Sequence, residues 1–347
     1  MTDSICLITG GAGFLGINLA RQLLSRDSAV RTLDIAPFDY PEIDRVDAML
    51  GDIRDADRVE QAMAGIQVVI HCAAALPLAP ADEIRTTSVE GTRVLLDAAL
   101  RHGVSRFVFV SSTAVYGVPD HVPIHEDHAL RGVGPYGESK IAAERLCEQY
   151  RARGLCVSVL RPKTFVGPER LGAFELLYDW ADDARNFPVL GRGDNLYQLL
   201  DVSDLCEVIV LCMTLAPSVV SDTFNVGAAD FGTMRENFQA VLDRAGHGGR
   251  VIGLPAAPAR FTLRLLEWLK LSPLYPWIYE TADHDSTVSI ERLSSRLGFR
   301  PRYSNREALV RNYDWYVAHR AQGRVQAGTS HRRPWKRGAL RLVKYVF

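Results

Sequence analysis

The chain has 347 residues, of which 47% are hydrophobic, and its 40 basic and 41 acidic side chains leave a formal net charge of -1. This length suffices for one large domain or two cooperating lobes, and the near-neutral charge excludes a global field that would recruit nucleic acid or an anionic surface. The start, MTDSICLITGG, lacks the features of a signal peptide, and no stretch reaches the roughly 20 apolar residues of a membrane span. We therefore expect a cytoplasmic protein.

From the start to about residue 160, short apolar runs alternate with segments of helical period. Strands are expected at ICLIT, AVRTLD, VDAML, VVIHCA, RFVFVSS and LCVSVLRP, and helices at GFLGINLARQLLS, VEQAMA, 86–101 and 135–153. Such alternation is typical of βαβ units, so the pattern predicts an α/β fold with a doubly wound parallel sheet of the Rossmann type. Glycine and proline break this rhythm beyond Pro162, where one further sheet strand and its helix are expected near DTFNVG and MRENFQAVLDRAG.

The six cysteines are scattered along the chain, without a C-x-x-C pair or a Cys/His cluster at zinc spacing. We therefore expect no metal site. The cysteines are expected to be reduced, buried small hydrophobes: Cys6, Cys72, Cys147, Cys156, Cys206 and Cys212.

The segment ICLITGGAGFLG places Gly10, Gly13 and Gly16 directly after an apolar strand and at the start of an amphipathic helix. In such a segment the first glycine permits a tight turn, the second lets the backbone approach a pyrophosphate, and the third lets the helix pack on the strand. The helix N-terminus adds oriented N–H groups that attract an anion. The alternative, a glycine-rich turn without a ligand, is disfavoured in this context, so the segment predicts a dinucleotide site.

Acidic residues follow the second and third predicted strands. Asp34 lies close to the ~20-residue offset at which a carboxylate binds the adenosine ribose hydroxyls, and its charge repels a ribose 2′-phosphate, which predicts NAD rather than NADP. An ordinary solvated aspartate at a strand end is the alternative. In GDIRD, Asp52 either reaches the adenine amino group or caps the following helix, and the sequence leaves both interpretations open.

The motifs TGGAGFLG, GDIRD, HCAAA, FVFVSSTAVYG and YGESK follow one another in this order. With them the chain resembles the extended short-chain dehydrogenases/reductases, especially the nucleotide-sugar epimerase/dehydratase branch, over roughly residues 4–320. The resemblance implies that Ser112, Tyr136 and Lys140 are catalytic and that a homodimer forms through helices 86–101 and 135–153. The cofactor-binding residues that it and the glycine segment indicate are Gly10, Gly13, Phe14, Leu15, Gly16, Asp34, Asp52, Ile53, Ala73, Ala74, Tyr136, Lys140 and Pro162, with His71 also lying along the cofactor.

The spacing of Tyr136 and Lys140 has its own chemical meaning. Residues at i and i+4 share one helix face, and a neighbouring ammonium favours the phenolate of a tyrosine that otherwise titrates near pH ~10. Tyr136 then removes a hydroxyl proton while hydride leaves the same carbon for the nicotinamide, and Ser112 donates a hydrogen bond to the developing carbonyl oxygen. Lys140 also holds the nicotinamide ribose. An exposed helix pair without function is the alternative.

The residues after Ser112 bear on the type of reaction. Sugar 4,6-dehydratases resemble one another in having Asp-Glu there, as acid and base for the loss of water, whereas this chain has Thr113 and Ala114. We therefore expect an epimerase-type oxidoreductase that oxidises a nucleotide-activated sugar to a keto intermediate at C4 and reduces it again. The alternative is an NAD-dependent dehydrogenase of a steroid-like or lipid-like secondary alcohol, and a non-catalytic cofactor-sensing or scaffold protein is a third hypothesis.

Two departures from the epimerase pattern concern the substrate. Thr164 stands where epimerases usually have an asparagine, and Tyr197 and Gln198 stand where an arginine usually binds the diphosphate. A diphosphate then needs another cation. Lys163, Arg170 and Arg192 are candidates, although each is equally well interpreted as a solvated surface charge. The predicted substrate-binding residues are Thr113, Lys163, Thr164 and Arg192.

We divide the chain into a cofactor-binding domain with the catalytic residues (1–162), a smaller, mainly substrate-binding C-terminal lobe (163–325) and a basic aromatic tail (326–347). The apolar run FTLRLLEWLKLSPLYPWIY is expected to be a helix covering the substrate lobe, with a greasy pocket or membrane-facing surface as the alternative. The tail combines arginine and lysine with large apolar side chains, so it either contacts an anionic membrane or packs on a neighbouring subunit.

Overall fold

The structure is a computed structural model that describes residues 5–77, 79–118, 120–169, 171–172, 174–268 and 283–321. The chain divides into two compact units. The first is formed by Met1–Lys163, Val202–Gly227 and Val288–Arg300, and the second by Thr164–Asp201, Ala228–Thr287 and Pro301–Phe347. Each unit therefore draws on three separate segments of the chain.

The strands are, in chain order, β1 (Ile5–Thr9), β2 (Val30–Asp34), β3 (Asp47–Leu50), β4 (Ile66–His71), β5 (Arg106–Val110), β6 (Val157–Pro162), β7 (Phe165–Val166), β8 (Phe187–Leu190), β9 (Leu200–Asp201), β10 (Thr223–Val226) and β11 (Val251–Leu254). The α-helices are α1 (Phe14–Leu24), α2 (Ala56–Met63), α3 (Ala81–Arg85), α4 (Gly91–Arg101), α5 (Gly134–Ala152), α6 (Phe174–Asp182), α7 (Val202–Thr214), α8 (Pro217–Val220), α9 (Met234–Ala245), α10 (Ala256–Trp268), α11 (Glu291–Leu297) and α12 (Asn305–Ala321).

The first unit is built on a seven-stranded sheet in the order β10-β6-β5-β4-β1-β2-β3, with all neighbouring strands parallel. This confirms the predicted doubly wound parallel sheet. Its strands bury both faces: Leu7, Val69 and Phe107 are fully enclosed. The winding reverses between β1 and β4, and in such sheets the ligand lies outside the carboxyl ends of the strands at that point.

One predicted helix begins earlier than expected and is not uniform. The helical stretch predicted at 86–101 is preceded by α3, and a π-helical segment, Thr86–Glu90, joins α3 to α4. Gly91 lies at the end of this segment, where a Cβ would come within 2.5 Å of Ile53 Cδ1. The start of α4 therefore packs closely against the loop that contains Ile53. The periodicity of the sequence does not reveal this contact.

The sequence analysis assigned the wrong partner helix to the last sheet strand. The strand β10 is present as predicted, but α9, the helix after it, belongs to the second unit. The sheet is instead covered by α7, which precedes β10 and packs against α1 and β5. The segment VSDLCEVIVLCMT is apolar nearly all round, with Asp204 also buried, so its helical period is masked.

The second unit combines two short parallel strand pairs, β7 with β9 and β8 with β11, with helices α6, α9 and α12. Its core is aromatic: Tyr178, Tyr313 and Tyr316 have ring centroids 5.9 to 6.4 Å apart. Asn312 donates a 3.1 Å hydrogen bond to the Tyr178 hydroxyl, which satisfies this buried phenol. The unit therefore has a hydrophobic core of its own.

All six cysteines are free; four are buried, whereas Cys72 and Cys156 are half-buried, contrary to expectation. Among the described residues no helix combines the length and apolarity needed to cross a bilayer, and no cluster of histidine, cysteine and carboxylate side chains is arranged to bind a metal ion. The tail 326–347, Arg170 and the end of the apolar run after Trp268 lie outside the described residues.

Candidate active site

The glycine-rich segment forms the connection from β1 to α1. Gly10 has φ of 72°, a left-handed conformation, and a Cβ there would lie 2.8 Å from the backbone nitrogen of Ala73. A Cβ on Gly16 would lie 2.3 Å from the Gly10 carbonyl oxygen, so only glycine lets the helix start this close to the turn. Gly13 is the extended N-cap of α1 and offers no capping side chain. The helix start is therefore open to an anion.

Asp34 lies beside this loop at the end of β2. Its carboxylate accepts hydrogen bonds from the backbone N–H groups of Ala12 and Ala36, each at 3.0 Å. The next residue, Ile35, is 73% exposed and apolar, so a basic side chain that could hold a 2′-phosphate is absent from that position. The glycine cradle and the adjacent carboxylate fit a dinucleotide without a 2′-phosphate.

Asp52 does not cap the helix that follows it. The N-cap of α2 is Asp55, whose side chain accepts from the Arg58 N–H at 3.1 Å. Asp52 instead accepts from the backbone and guanidinium of Arg54, and these bonds lower the pKa of its carboxyl. The capping interpretation is therefore wrong, and contact with the adenine stays a prediction. Ile53 next to it is buried.

His71, at the end of β4, is enclosed rather than open to a ligand. It is 1% exposed, with Nδ1 2.8 Å from Thr9 Oγ1 and Nε2 3.0 Å from Thr92 Oγ1. Thr92 donates its hydroxyl to the Ser88 carbonyl, so it accepts from a protonated Nε2, and Nδ1 accepts from Thr9. Burial lowers the His71 pKa to about 3. This neutral side chain ties β1 and β4 to α4, whereas Ala73 and exposed Ala74 line the edge beyond it.

Lys140 is buried at the end of β5. It is 3% exposed, its Nζ donates a 2.9 Å hydrogen bond to the Val110 carbonyl, and it lies 4.8 Å from the ring centroid of Phe109. Burial lowers the Lys140 pKa to about 8, against the opposing effect of negative neighbours such as Glu144. The ammonium thus contacts Val110, which precedes Ser112 by two positions in the chain.

The first turn of α5, which contains Tyr136, packs against the short 3-10 turn Thr113–Tyr116 that follows Ser112. Ser112 is the N-cap of this turn, and its Oγ accepts from the Ala114 N–H at 3.1 Å. Gly137 follows Tyr136, and a Cβ there would lie 2.8 Å from the Ala114 carbonyl oxygen. Glycine therefore allows the first turn of α5 to rest directly on the serine turn. Tyr136 and Ser112 are both half-buried.

One turn beyond Lys140, Glu144 forms a buried ion pair that the sequence analysis missed. Its carboxylate receives three hydrogen bonds from Arg161 on β6, the shortest 2.6 Å, and one from the Ser111 hydroxyl. The Glu144 and Arg161 side chains are 3% and 5% exposed. The i, i+4, i+8 series of Tyr136, Lys140 and Glu144 could have indicated it.

The network extends from Arg161 toward β10. Its guanidinium donates to the Tyr116 hydroxyl at 2.8 Å and to the Glu126 carbonyl at 2.9 Å, and Tyr116 donates to Asn225 Oδ1 at 2.7 Å. Asn225 in turn donates its backbone N–H to the Glu126 carboxylate at 2.8 Å. Buried polar groups are satisfied throughout, so the loop between Ser112 and Tyr136 is held to the ends of β6 and β10.

The two departures from the epimerase pattern meet in the second unit. The Thr164 side chain forms a hydrogen bond with the Tyr197 hydroxyl, and burial raises the pKa of that phenol. Gln198 is 1% exposed and donates to the Ala228 carbonyl at 2.7 Å. An uncharged, internally bonded pair thus occupies the place where a ligand-binding arginine is usual.

The candidate cations differ in their surroundings. Lys163, at the end of β6, is 7% exposed and its pKa is lowered to about 8 by burial, so the interpretation as a solvated surface charge is wrong. The Arg192 side chain is 89% exposed and pairs with Asp194 at 2.8 Å, as expected of a surface charge. Thr113 is half-buried and Pro162 buried, whereas Thr164 is exposed.

The carboxylate of Asp34 is expected to determine the preference for NAD over NADP. We expect Asp34→Ala and Asp34→Asn to weaken the preference for NAD over NADP, measured as the ratio of the two dissociation constants, by about tenfold. Both variants remove the charge that repels a 2′-phosphate. Fluorescence titration with both dinucleotides measures this ratio. A shift in the alanine variant alone would assign the effect to the lost hydrogen bonds of Ala12 and Ala36 and contradict the electrostatic explanation.

The Glu144–Arg161 pair predicts a large asymmetry in stability. Arg161→Met leaves a buried carboxylate unpaired and should lower the free energy of unfolding by about 3–5 kcal/mol, whereas adding Glu144→Leu should recover much of it. Urea unfolding measures both. Arg93→Met, in an exposed i,i+3 pair of the same unit, should cost less than about 1 kcal/mol. Equal losses in the single and double variants would show that the charge pair is not the cause.

Lys140 predicts a pH-dependent stability. Its pKa lies below the ordinary value of 10.5, so burying the ammonium costs up to about 3 kcal/mol. The cost is fully present below pH 8 and fades as pH rises toward 10.5, where the unfolded chain also loses the proton. Lys140→Met should therefore raise the free energy of unfolding at pH 7, and the gain should shrink above pH 8. Arg145→Met, at an exposed site on the same helix, is the control and should show no such pH dependence.

Comparison with known proteins places the chain in a family. The model of the "NAD dependent epimerase/dehydratase family" matches residues 6–227. The uncharacterized protein y4nG of Sinorhizobium fredii is 35% identical over 344 residues, covering 98% of this chain and 85% of y4nG. A dTDP-glucose 4,6-dehydratase of Streptomyces antibioticus is 31% identical over 337 residues, covering 91% of this chain and 93% of the relative.

A third relative and a solved structure complete the comparison. A 3 beta-hydroxysteroid dehydrogenase/Delta 5-->4-isomerase of Mycobacterium tuberculosis is 29% identical over 339 residues, 90% of each chain. The crystal structure of a UDP-glucose 4-epimerase of Thermotoga maritima with UDP-glucose has a TM-score of 0.75 at 21% identity, covering 90% of this chain and 99% of the other, which shows the shared fold. The chain belongs to the NAD dependent epimerase/dehydratase family and is an NAD-dependent enzyme of the extended short-chain dehydrogenase/reductase type.

Proposed function

We propose that the protein is an epimerase-type oxidoreductase that acts on a nucleotide-activated sugar, oxidising it to a keto intermediate at C4 and reducing it again. The observation behind the proposal is that Lys140 contacts the end of β5 two residues before Ser112, while the first turn of α5, which contains Tyr136, rests on the turn that Ser112 caps. The unit that contains them also holds the glycine loop. When bound, NAD supplies a reversible hydride acceptor. Gly10, Gly13 and Gly16 would hold its pyrophosphate, and Asp34 its adenosine ribose.

Tyr136 is the proposed acid/base. Its phenolate oxygen accepts the proton of the substrate hydroxyl as the same carbon is oxidised, and returns the proton when the ketone is reduced. Lys140 stabilises this phenolate as long as its ammonium is charged. The Ser112 hydroxyl oxygen already accepts from the Ala114 N–H, so its O–H is directed away as a donor to the developing carbonyl oxygen.

Epimerisation rather than dehydration is supported by the two residues after Ser112. Elimination of water needs an acid and a base of its own, and Thr113 and Ala114 supply neither. A relative named as a dehydratase therefore shares the oxidation step that this site supports, while the elimination step lacks its groups here. Because the hydride returns to the substrate, the cofactor is regenerated in each turnover and is expected to be tightly held.

A second candidate is an NAD-dependent dehydrogenase of a steroid-like or lipid-like alcohol. The uncharged Thr164–Tyr197 pair favours it, because an anionic diphosphate finds no cation there, as does the relative named as a hydroxysteroid dehydrogenase. In α10, Phe261 is 70% exposed, which adds an apolar side chain to the second unit. A net dehydrogenase would release NADH after each turnover.

We further propose a cytoplasmic homodimer that forms through the helical stretch 86–101 and α5, and a division of labour in which 1–162 binds NAD and 163–325 mainly binds substrate. Size-exclusion chromatography with light scattering tests the dimer.

The decisive experiment is mass spectrometry of small molecules released on denaturation, followed by thermal-shift titration with UDP-, GDP- and dTDP-sugars and with hydrophobic alcohols. Co-purified NAD and stabilisation by one nucleotide sugar would support the epimerase. An empty cofactor site, with stabilisation only by an apolar alcohol, would replace it by the dehydrogenase.

Tyr136→Phe tests the mechanism in the same protein. We expect at least about a 100-fold loss of turnover on the substrate so identified, with NAD still bound, because only the titrating hydroxyl is removed. Turnover at the wild-type rate would eliminate Tyr136 as the base, and loss of NAD would assign it a role in cofactor binding instead.

A further inference from the structure

A cavity of about 370 Å³ lies within the second unit, and no sequence motif indicated it. It is lined by Gly191, Arg192, Arg235, Gly253, Leu254 and Pro255. The lining comes from the loop after β8, the end of β11 and the first turn of α9. Among the described residues of this lining, the two arginines are the only charged ones, so their side chains determine its charge.

Arg235 is fixed at this cavity by backbone carbonyls. Its Nε donates to the Arg192 carbonyl and its Nη1 to the Val251 carbonyl, each at 2.7 Å. Within the described parts of the chain, no carboxylate lies within ion-pair distance of Arg235. Carbonyl dipoles orient a guanidinium but do not cancel its charge. A full positive charge therefore remains on a held side chain.

The carboxylates near the cavity are already engaged. Asp194 pairs with Arg192, and Asp283 pairs with Arg260. Glu236, which follows Arg235, accepts from the Thr233 backbone and hydroxyl in the capping box of α9. The charge of Arg235 is thus left for a ligand rather than for a neighbouring acid.

Glycine keeps space beside the guanidinium. A Cβ on Gly253 would lie 2.6 Å from the Gly191 carbonyl oxygen and 3.2 Å from Nη2 of Arg235. Gly193 has φ of 74°, and a Cβ there would lie 3.2 Å from the Arg235 Cβ. A larger residue at either glycine would displace the loop or fill the space beside Nη2 of Arg235, the guanidinium nitrogen that faces Gly253.

We propose that Arg235 binds the diphosphate of the nucleotide-activated substrate, as the cation that replaces the arginine missing at Tyr197. The inference rests on the proposed function. Phosphate oxygens suit a preoriented guanidinium, which offers the N–H donors of Nη2 together with charge, whereas the Thr164–Tyr197 pair is uncharged.

The test is titration calorimetry of the NAD-loaded full-length protein with UDP, GDP, dTDP and the corresponding nucleosides. Arg235→Gln should weaken binding of the preferred diphosphate by about tenfold or more and leave nucleoside binding unchanged, since only the phosphate contact is lost. Arg235→Lys, which retains the charge, should recover part of the affinity. Arg244→Gln, which removes an exposed arginine from the same helix, α9, is the control and should bind like the wild type. Thermal unfolding verifies that each variant is folded.

The outcomes separate this inference from the proposed function. Diphosphate binding of wild-type strength in Arg235→Gln, or an equal loss of nucleoside binding, would overturn the role of Arg235 and leave the nucleotide-sugar function standing. Wild-type protein that binds none of UDP, GDP and dTDP would overturn both. An equal loss in Arg244→Gln would show that removing any positive charge from α9 weakens binding, and would refute the assignment to Arg235.

Discussion

The buried Glu144–Arg161 ion pair is the constraint on which the catalytic geometry depends. Two charges out of water are tolerated only when each is fully hydrogen-bonded, and here the bonds reach Ser111 on one side and Tyr116 on the other. Ser111 precedes Ser112, and Glu144 lies one turn beyond Lys140. The pair therefore fixes the end of β5 relative to α5, and with it the two elements that carry the proposed base, Tyr136, and the proposed hydrogen-bond donor, Ser112.

The same region shows why a reactive site lowers stability. Lys140 is buried and its pKa is lowered, so its ammonium costs free energy at neutral pH, and the same charge is proposed to stabilise the phenolate of Tyr136. His71, in contrast, is buried in its neutral form: two threonine hydroxyls form hydrogen bonds with its ring, and burial lowers its pKa. Charge is thus kept at the position where chemistry is proposed, and removed one strand away, where the side chain only joins β1, β4 and α4.

What could be predicted from the sequence depends on how far apart in the chain the interacting residues lie. Gly10, Gly16 and Asp34 act through neighbouring backbone, so their motif predicted both the loop and its place beside β2. Glu144 and Arg161 are 17 positions apart and meet only in the folded sheet, so their pairing has no local signature. The α7 helix was missed for a related reason, because a helix that is apolar on nearly every side shows no amphipathic period.

The substrate side illustrates a second limit. Thr164 and Tyr197 each looked like the loss of a binding group when considered separately, but in the fold they bond to each other, so the two departures form one coupled change. A site that exchanges a charged contact for a neutral pair must either accept a less polar ligand or place its cation elsewhere. Arg235, oriented by two carbonyls and paired with no carboxylate among the described residues, supports the second course, and a phosphate contact at this guanidinium would favour a nucleotide sugar over an apolar alcohol.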